Sequence, residues 1–128
     1  MTQVKDLHQQ AMVFAEQADL AKLKSQTDRV AQLYQQAFAK EAEAAALLAE
    51  DFAAEPTRAV LHRSAATLAI NCGAFEAAEK LIITALAGTP PAEIAEELKD
   101  LFVQINLQKY LARRGVELAA EQIQRLTA

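Results

Sequence analysis

Three polar side chains follow one another at helical spacing in the middle of the chain. Arg63, Thr67 and Asn71 are each four residues apart, which on an α-helix places them in one line. An arginine guanidinium pairs with carboxylates, and an asparagine amide hydrogen-bonds to a peptide backbone. The line therefore presents one cation and two uncharged hydrogen-bonding groups along one face of the helix. One interpretation is that these residues form the solvated face of an ordinary helix.

Other reactive residue types occur without the partners that a catalytic or metal site requires. His8 and His62 belong to no His-Glu-x-x-His or Glu-x-x-His pattern, so we expect surface or groove residues rather than metal ligands. Cys72 is the single cysteine and lies beside Gly73, which indicates a packed or half-exposed thiol and excludes an internal disulfide. The three glycines are isolated, which argues against a phosphate-binding loop.

Acidic residues are frequent between positions 41 and 55, at Glu41, Glu43, Glu50, Asp51 and Glu55. The surrounding sequence is rich in alanine, and such a run is typical of a solvated helix face. A catalytic pair of carboxylates needs surroundings that separate the two pKa values, and no pattern here identifies one. We therefore predict that the protein is not an enzyme and uses no cofactor or metal.

Composition favours a helical protein. Of the 128 residues, 29 are alanine, 52% are hydrophobic and 5% are aromatic, and small side chains favour closely packed helices over sheets. The net charge of −4 argues against nucleic-acid binding, which needs a basic surface. The start MTQVKDLHQQ lacks the apolar run of a signal peptide, and the apolar stretch from Ala44 to Ala49 is far shorter than the ~20 residues of a membrane span. We expect a soluble, cytoplasmic protein.

Glycine and proline residues divide the sequence into segments with helical periodicity. The predicted helices run from about Val4 to Leu23, from Ser25–Asp28 toward Phe52, from Pro56 to Gly73, from Phe75 to Leu86, from Thr89 to Gly115 and, as a short last helix, around Leu118 to Leu126. The second has no breaker for about 25 residues and would be about 38 Å long. Side chains at its start, including that of Ser25, are suited to capping it.

A pattern of small and aromatic residues extends over about residues 59–92. Its members are Ala66 in the first helix, Gly73 at the turn, Phe75 after it, Ala78, Ile82 and Ala85 in the second helix, and Pro90 at the end. This order resembles one tetratricopeptide repeat, a 34-residue helix-turn-helix unit. Ala65 and Ala69 depart from it, because the family commonly has a leucine and an aromatic residue there.

The resemblance implies an all-α fold in which antiparallel helix pairs stack in a right-handed superhelical array. Residues 1–128 would form a single domain of five to six helices. Upstream, Ala18, Tyr34 and Ala37 repeat the spacing more weakly, and the turn near Ser25 lacks a glycine. Downstream, the helix after Pro91 would open a third unit or close the array. A plain antiparallel bundle is the alternative.

In tetratricopeptide proteins the first helix of each unit lines a concave groove that binds peptides. The resemblance places five residues at groove-lining positions, namely Arg63, Thr67, Asn71, Glu97 and Gln104. We therefore expect a non-catalytic interaction module that binds a peptide or protein segment. The alternative is an oligomerisation or scaffold element, a possible homodimer, whose long second helix pairs with a copy of itself through Leu33, Phe38, Leu47, Leu48 and Phe52.

Overall fold

A computed structural model of the chain describes residues 2–115, 122, 125 and 126. Its elements are α1 (Thr2–Leu23), α2 (Thr27–Leu47), a 3-10 turn (Phe52–Ala54), α3 (Thr57–Asn71), α4 (Phe75–Leu86) and α5 (Ala92–Arg113). Within these residues the regular structure is entirely helical, which confirms the all-α prediction. The last helix predicted around Leu118 to Leu126 lies largely outside the described residues.

The helices form two antiparallel hairpins followed by one further helix. α1 packs along α2, α3 packs along α4, α2 joins the hairpins by packing on α3, and α5 packs on both α3 and α4. One core cluster lies among α3, α4 and α5 around Ile82 and Leu98. Two smaller clusters lie between α1 and α2, and one of these clusters includes Leu61 of α3.

Both hairpins close with the same turn. In the second, the N–H of Ala74 donates to the carbonyl oxygen of Ala69 and Gly73 adopts a φ of +79°. In the first, the N–H of Gln26 donates to the carbonyl oxygen of Ala21 and Ser25 adopts a φ of +57°. This is the Schellman pattern, whose left-handed position usually holds glycine. Ser25 therefore ends α1 in the way that Gly73 ends α3, and it does not cap α2.

Buried alanines occupy matching positions in the two hairpins. Ser25 and Gly73 are 48 positions apart, and the same spacing relates four pairs of buried alanines: Ala11 and Ala59, Ala18 and Ala66, Ala21 and Ala69, Ala37 and Ala85. Alanine has the smallest side chain of any residue except glycine, so buried alanines at these points allow closely packed helices. The two hairpins thus share one packing pattern as well as one turn.

The second helix is shorter than its sequence predicts. It ends at Leu47 rather than near Phe52, so its 21 residues span about 31 Å instead of about 38 Å. Beyond it, the carbonyl oxygen of Ala49 accepts a hydrogen bond of 2.8 Å from Nε of Arg58, a residue of α3. A contact from another helix thus holds the chain just past the end of α2, where the sequence contains no glycine or proline.

Arg58 of α3 connects the end of α4 to the segment that follows α2, from a buried position. Its side chain is 1% exposed. In addition to the bond to Ala49, Nη2 donates to the carbonyl oxygen of Thr84 at 2.6 Å and Nη1 to that of Ala85 at 3.3 Å. Carbonyls at a helix C-terminus lack intrahelical partners and carry partial negative charge, so a cation stabilises them. One guanidinium therefore donates hydrogen bonds both to the end of α4 and to the segment that follows α2.

Glu55 completes the network around Arg58. One carboxylate oxygen, Oε2, lies 3.7 Å from Nη1 of Arg58 and accepts from the N–H of Thr89 at 3.1 Å. The other, Oε1, accepts from the N–H of Ala59 in the first turn of α3 at 2.9 Å. Burial of an arginine is costly unless its charge is paired and its donors are bonded, and Glu55 supplies the opposite charge.

Candidate functional site

Two of the five predicted groove residues contact each other. Nη1 of Arg63 on α3 donates to Oε2 of Glu97 on α5 at 2.7 Å. The Arg63 side chain is 30% exposed and that of Glu97 is 54% exposed. The ion pair therefore crosses from α3 to α5 at the surface, where solvent reaches both partners.

The remaining predicted residues divide between two places. Thr67 is exposed and its hydroxyl donates to the carbonyl oxygen of Arg63 at 3.1 Å, and Gln104 on α5 is half-buried. Asn71 instead lines a cavity of about 380 Å³ together with the α1–α2 turn and Tyr34. The predicted line along α3 thus faces α5 at Arg63 and α2 at Asn71.

The ion pair determines how Arg63 can bind a ligand. Its guanidinium already has a carboxylate partner, so a peptide carboxylate must displace Glu97 or share the guanidinium with it. Exposed ion pairs contribute about 0–1 kcal/mol to stability. Displacement of Glu97 therefore costs little, and the liberated carboxylate becomes an acceptor for a donor on the same peptide.

The apolar residues that the self-association hypothesis requires are largely used inside the chain. Leu33 and Leu48 are buried, and Phe38 packs against the core among α3, α4 and α5. Leu47 and Phe52 remain exposed, and the Phe52 ring lies 4.8 Å from the guanidinium carbon of Arg58. The apolar surface of this set is therefore reduced to two residues.

A second polar cluster, which the sequence did not reveal, joins α1 to α2. Nδ1 of His8 lies 2.9 Å from Oε1 and 3.0 Å from Oε2 of Glu41. Glu41 is fully buried, whereas the His8 side chain is 40% exposed. The expectation that Glu41 lies on a solvated face is therefore wrong. The position of Glu41 along α2 could have predicted its burial, because it continues the buried stripe that contains Leu33, Ala37 and Ala44.

His8 also lines a pocket between α1 and α3. This α1–α3 pocket has a volume of about 400 Å³ and is lined by Val4, Lys5, His8, Pro56, Thr57, Val60 and Leu61. Its wall is mainly apolar, with the three polar side chains on two helices. A concave apolar surface with a few convergent polar groups is the usual form of a small-molecule site.

His62 lies inside the protein rather than at a surface or in a groove. Its side chain is 1% exposed, and Nδ1 donates to the carbonyl oxygen of Arg58 at 2.7 Å. Burial lowers the pKa of His62 from its ordinary value of 6.5, with the nearby charge of Arg58 acting in the same direction. The hydrogen bond to the carbonyl and the charge of Glu55 oppose this change. His62 is therefore a neutral core residue.

The described part of the chain contains neither a cluster of metal-ligand side chains nor a helix suited to span a membrane. No three His, Cys, Asp or Glu side chains among these residues are grouped as metal ligands. None of the described helices combines the length and apolar character needed to cross a membrane. Comparison of the chain with known proteins gave no match to a family model, to a curated protein or to a solved structure.

Proposed function

We propose that this protein is a non-catalytic interaction module that binds an acidic peptide or protein segment where α3 meets α5. The observation that carries the proposal is the exposed ion pair between Arg63 and Glu97. A guanidinium and a carboxylate side by side on neighbouring helices present a donor and an acceptor to an extended chain. Thr67, one turn further along α3, adds an exposed hydroxyl.

We further propose that the hairpins stack as in tetratricopeptide repeats. The common turn at Ser25 and Gly73 and the constant spacing of the buried alanines support two copies of one unit, although their spacing of 48 positions exceeds the 34 residues of a tetratricopeptide repeat by 14. The packing of α5 on both α3 and α4 supports its assignment as the first helix of a third unit. In such a stack α3 and α5 line the same groove, which is where the proposed site lies.

The experiment selects peptides from a random linear library with the wild-type protein and measures their Kd by calorimetry. The selected peptides are expected to contain aspartate or glutamate. Arg63→Ala should weaken their binding by up to about fivefold, because an exposed ion pair contributes up to about 1 kcal/mol. Glu97→Gln should strengthen binding, because it removes the charge that competes for Arg63 while its amide oxygen remains an acceptor for the peptide.

Arg29→Ala is the matched control, because Arg29 is an exposed arginine on α2. It should leave the Kd unchanged. Asn71→Ala should have a smaller effect than Arg63→Ala, because Asn71 faces α2. Equal losses in the Arg63 and Arg29 variants, or selection of peptides without acidic residues, would contradict the proposal.

A further inference from the structure

The polar side chains of the α1–α3 pocket are all able to donate hydrogen bonds. They are the ammonium of Lys5, the imidazole of His8 and the hydroxyl of Thr57. No aspartate or glutamate is among the described residues that line the pocket. Two of the three donors are basic, although the protein as a whole carries a net charge of −4. The wall is therefore complementary to an anionic group.

Glu41 fixes the orientation of His8 at this wall. Because both carboxylate oxygens lie within 3.0 Å of Nδ1, that nitrogen is used on the buried side of the ring. Nε2 is then the nitrogen left for a ligand. In the imidazolium both ring nitrogens donate, so His8 is able to join the buried carboxylate of Glu41 to a second carboxylate in the pocket.

The remaining wall is formed by apolar side chains and accepts an aliphatic chain. Val4, Val60 and Leu61 line it, and the volume of about 400 Å³ exceeds that of a medium-length alkyl chain. We propose that the α1–α3 pocket binds a small aliphatic carboxylate. The carboxylate lies between Lys5 and His8, and the chain lies against the apolar wall. This site is separate from the proposed peptide site.

The test titrates the isotope-labelled protein with octanoate and follows the His8 ring and the methyl groups of Val60 and Leu61 by NMR. We expect saturable shifts of both groups with one sub-millimolar Kd. Octanol and octylammonium provide the comparison, since they share the chain but lack the anion. Octanoate should bind about tenfold more tightly than either, which corresponds to about one charge-assisted hydrogen bond.

Two kinds of variant distinguish binding of the carboxylate from binding of the alkyl chain. Lys5→Gln and His8→Gln should each weaken octanoate binding several-fold and leave octanol binding unchanged. Val60→Trp should abolish binding by filling the pocket. Val103→Trp is the matched control, because Val103 is an exposed valine in a different apolar depression between α4 and α5.

Circular dichroism of each variant confirms folding before its Kd is interpreted. Lys5 is exposed, so its replacement keeps the test informative if the His8 variant loses structure through the buried Glu41. Equal affinity for octanoate and octanol overturns the proposal, as does binding that Val60→Trp leaves intact. The absence of saturable shifts at His8 and Val60 overturns it too.

Discussion

A Cβ atom at Gly88 would lie 2.5 Å from Nη1 of the buried Arg58 side chain. Gly88 does not have a positive φ, so the absence of a side chain matters here for space rather than for backbone conformation. Gly88→Ala should lower the free energy of unfolding by about 1–3 kcal/mol, the usual cost of an overpacked interior. Urea denaturation measures the change.

Arg58→Met provides the control for this prediction, because it keeps most of the aliphatic stem and removes the guanidinium. In that background Gly88→Ala should cost much less than in the wild type, and the difference is the coupling energy of the two positions. Equal costs in both backgrounds would show that the glycine is needed for a reason other than the guanidinium.

Acidification should destabilise the protein through His62. Its pKa in the folded state lies below 6.5 because of burial, so the unfolded state takes up the proton more readily. Neutral His62 contributes to the free energy of unfolding at pH values above its pKa in the unfolded state, about 6.5. This contribution is lost as the pH falls from about 6.5 toward the pKa in the folded state. Urea denaturation at a series of pH values should show a smaller loss for His62→Gln than for the wild type. Parallel curves for the two proteins would contradict this account.

The turns at Ser25 and Gly73 should respond oppositely to exchange of the two residue types. Ser25→Gly should stabilise the protein by up to about 1 kcal/mol, because glycine adopts a positive φ without a steric penalty. Gly73→Ser should destabilise it by a similar amount. Thermal unfolding of both variants measures the effect. A loss of stability in Ser25→Gly would show that the serine side chain contributes more than its strained backbone costs.

Tyr34 should ionise at unusually high pH. Its hydroxyl donates to Oδ1 of Asp19 at 2.6 Å, and this bond, followed by burial and the charge of Asp19, raises the pKa of Tyr34 from 10.0 to about 12. Asp19→Asn should bring the pKa back toward 10.0, as measured by ultraviolet titration of the phenol. A Tyr110→Phe background isolates the signal, and circular dichroism in the same titration identifies any unfolding.

The ion pair between Arg63 and Glu97 should contribute little to stability. Both side chains are partly exposed, so either single alanine variant should lose no more than about 1 kcal/mol. Thermal unfolding at low and high salt measures the difference in stability between each variant and the wild type. This difference should shrink at high salt because ions screen the pair. A loss of several kcal/mol would show that the pair holds α5 onto α3.

The sequence predicted most of the helices because their boundaries are set locally. Gly73 marks the end of the third helix, and Pro91 precedes the fifth, as in the structure. The sequence did not predict the end of α2. The chain just after it is held by Arg58 of α3, and no residue near the end of α2 indicates this contact. Ser25 was assigned to the wrong helix because serine more often caps a helix start than it adopts a positive φ.

The sequence predicted the candidate site only in part, because some of its contacts also come from residues on other helices. Helical spacing puts Arg63 and Thr67 on one face, but spacing alone does not show that Glu97 lies within bonding distance of Arg63. Buried polar groups were the main omission. Glu41, Arg58 and His62 are charged or polar by type, and their burial depends on partners far along the chain or on the packing of α4.

The Arg58 guanidinium also affects how the chain opens. Arrays of helical hairpins generally fray one unit at a time, since each unit contacts only its neighbours. Here one side chain bonds both to the last turn of α4, through Nη1 and Nη2, and to Ala49 after α2, through Nε. Release of the α4 turn therefore also removes the contacts that fix the arginine at Ala49. Amide hydrogens in α3, in α4 and in the second half of α2 should therefore exchange with solvent in one concerted event, while α1 and α5 exchange through smaller openings.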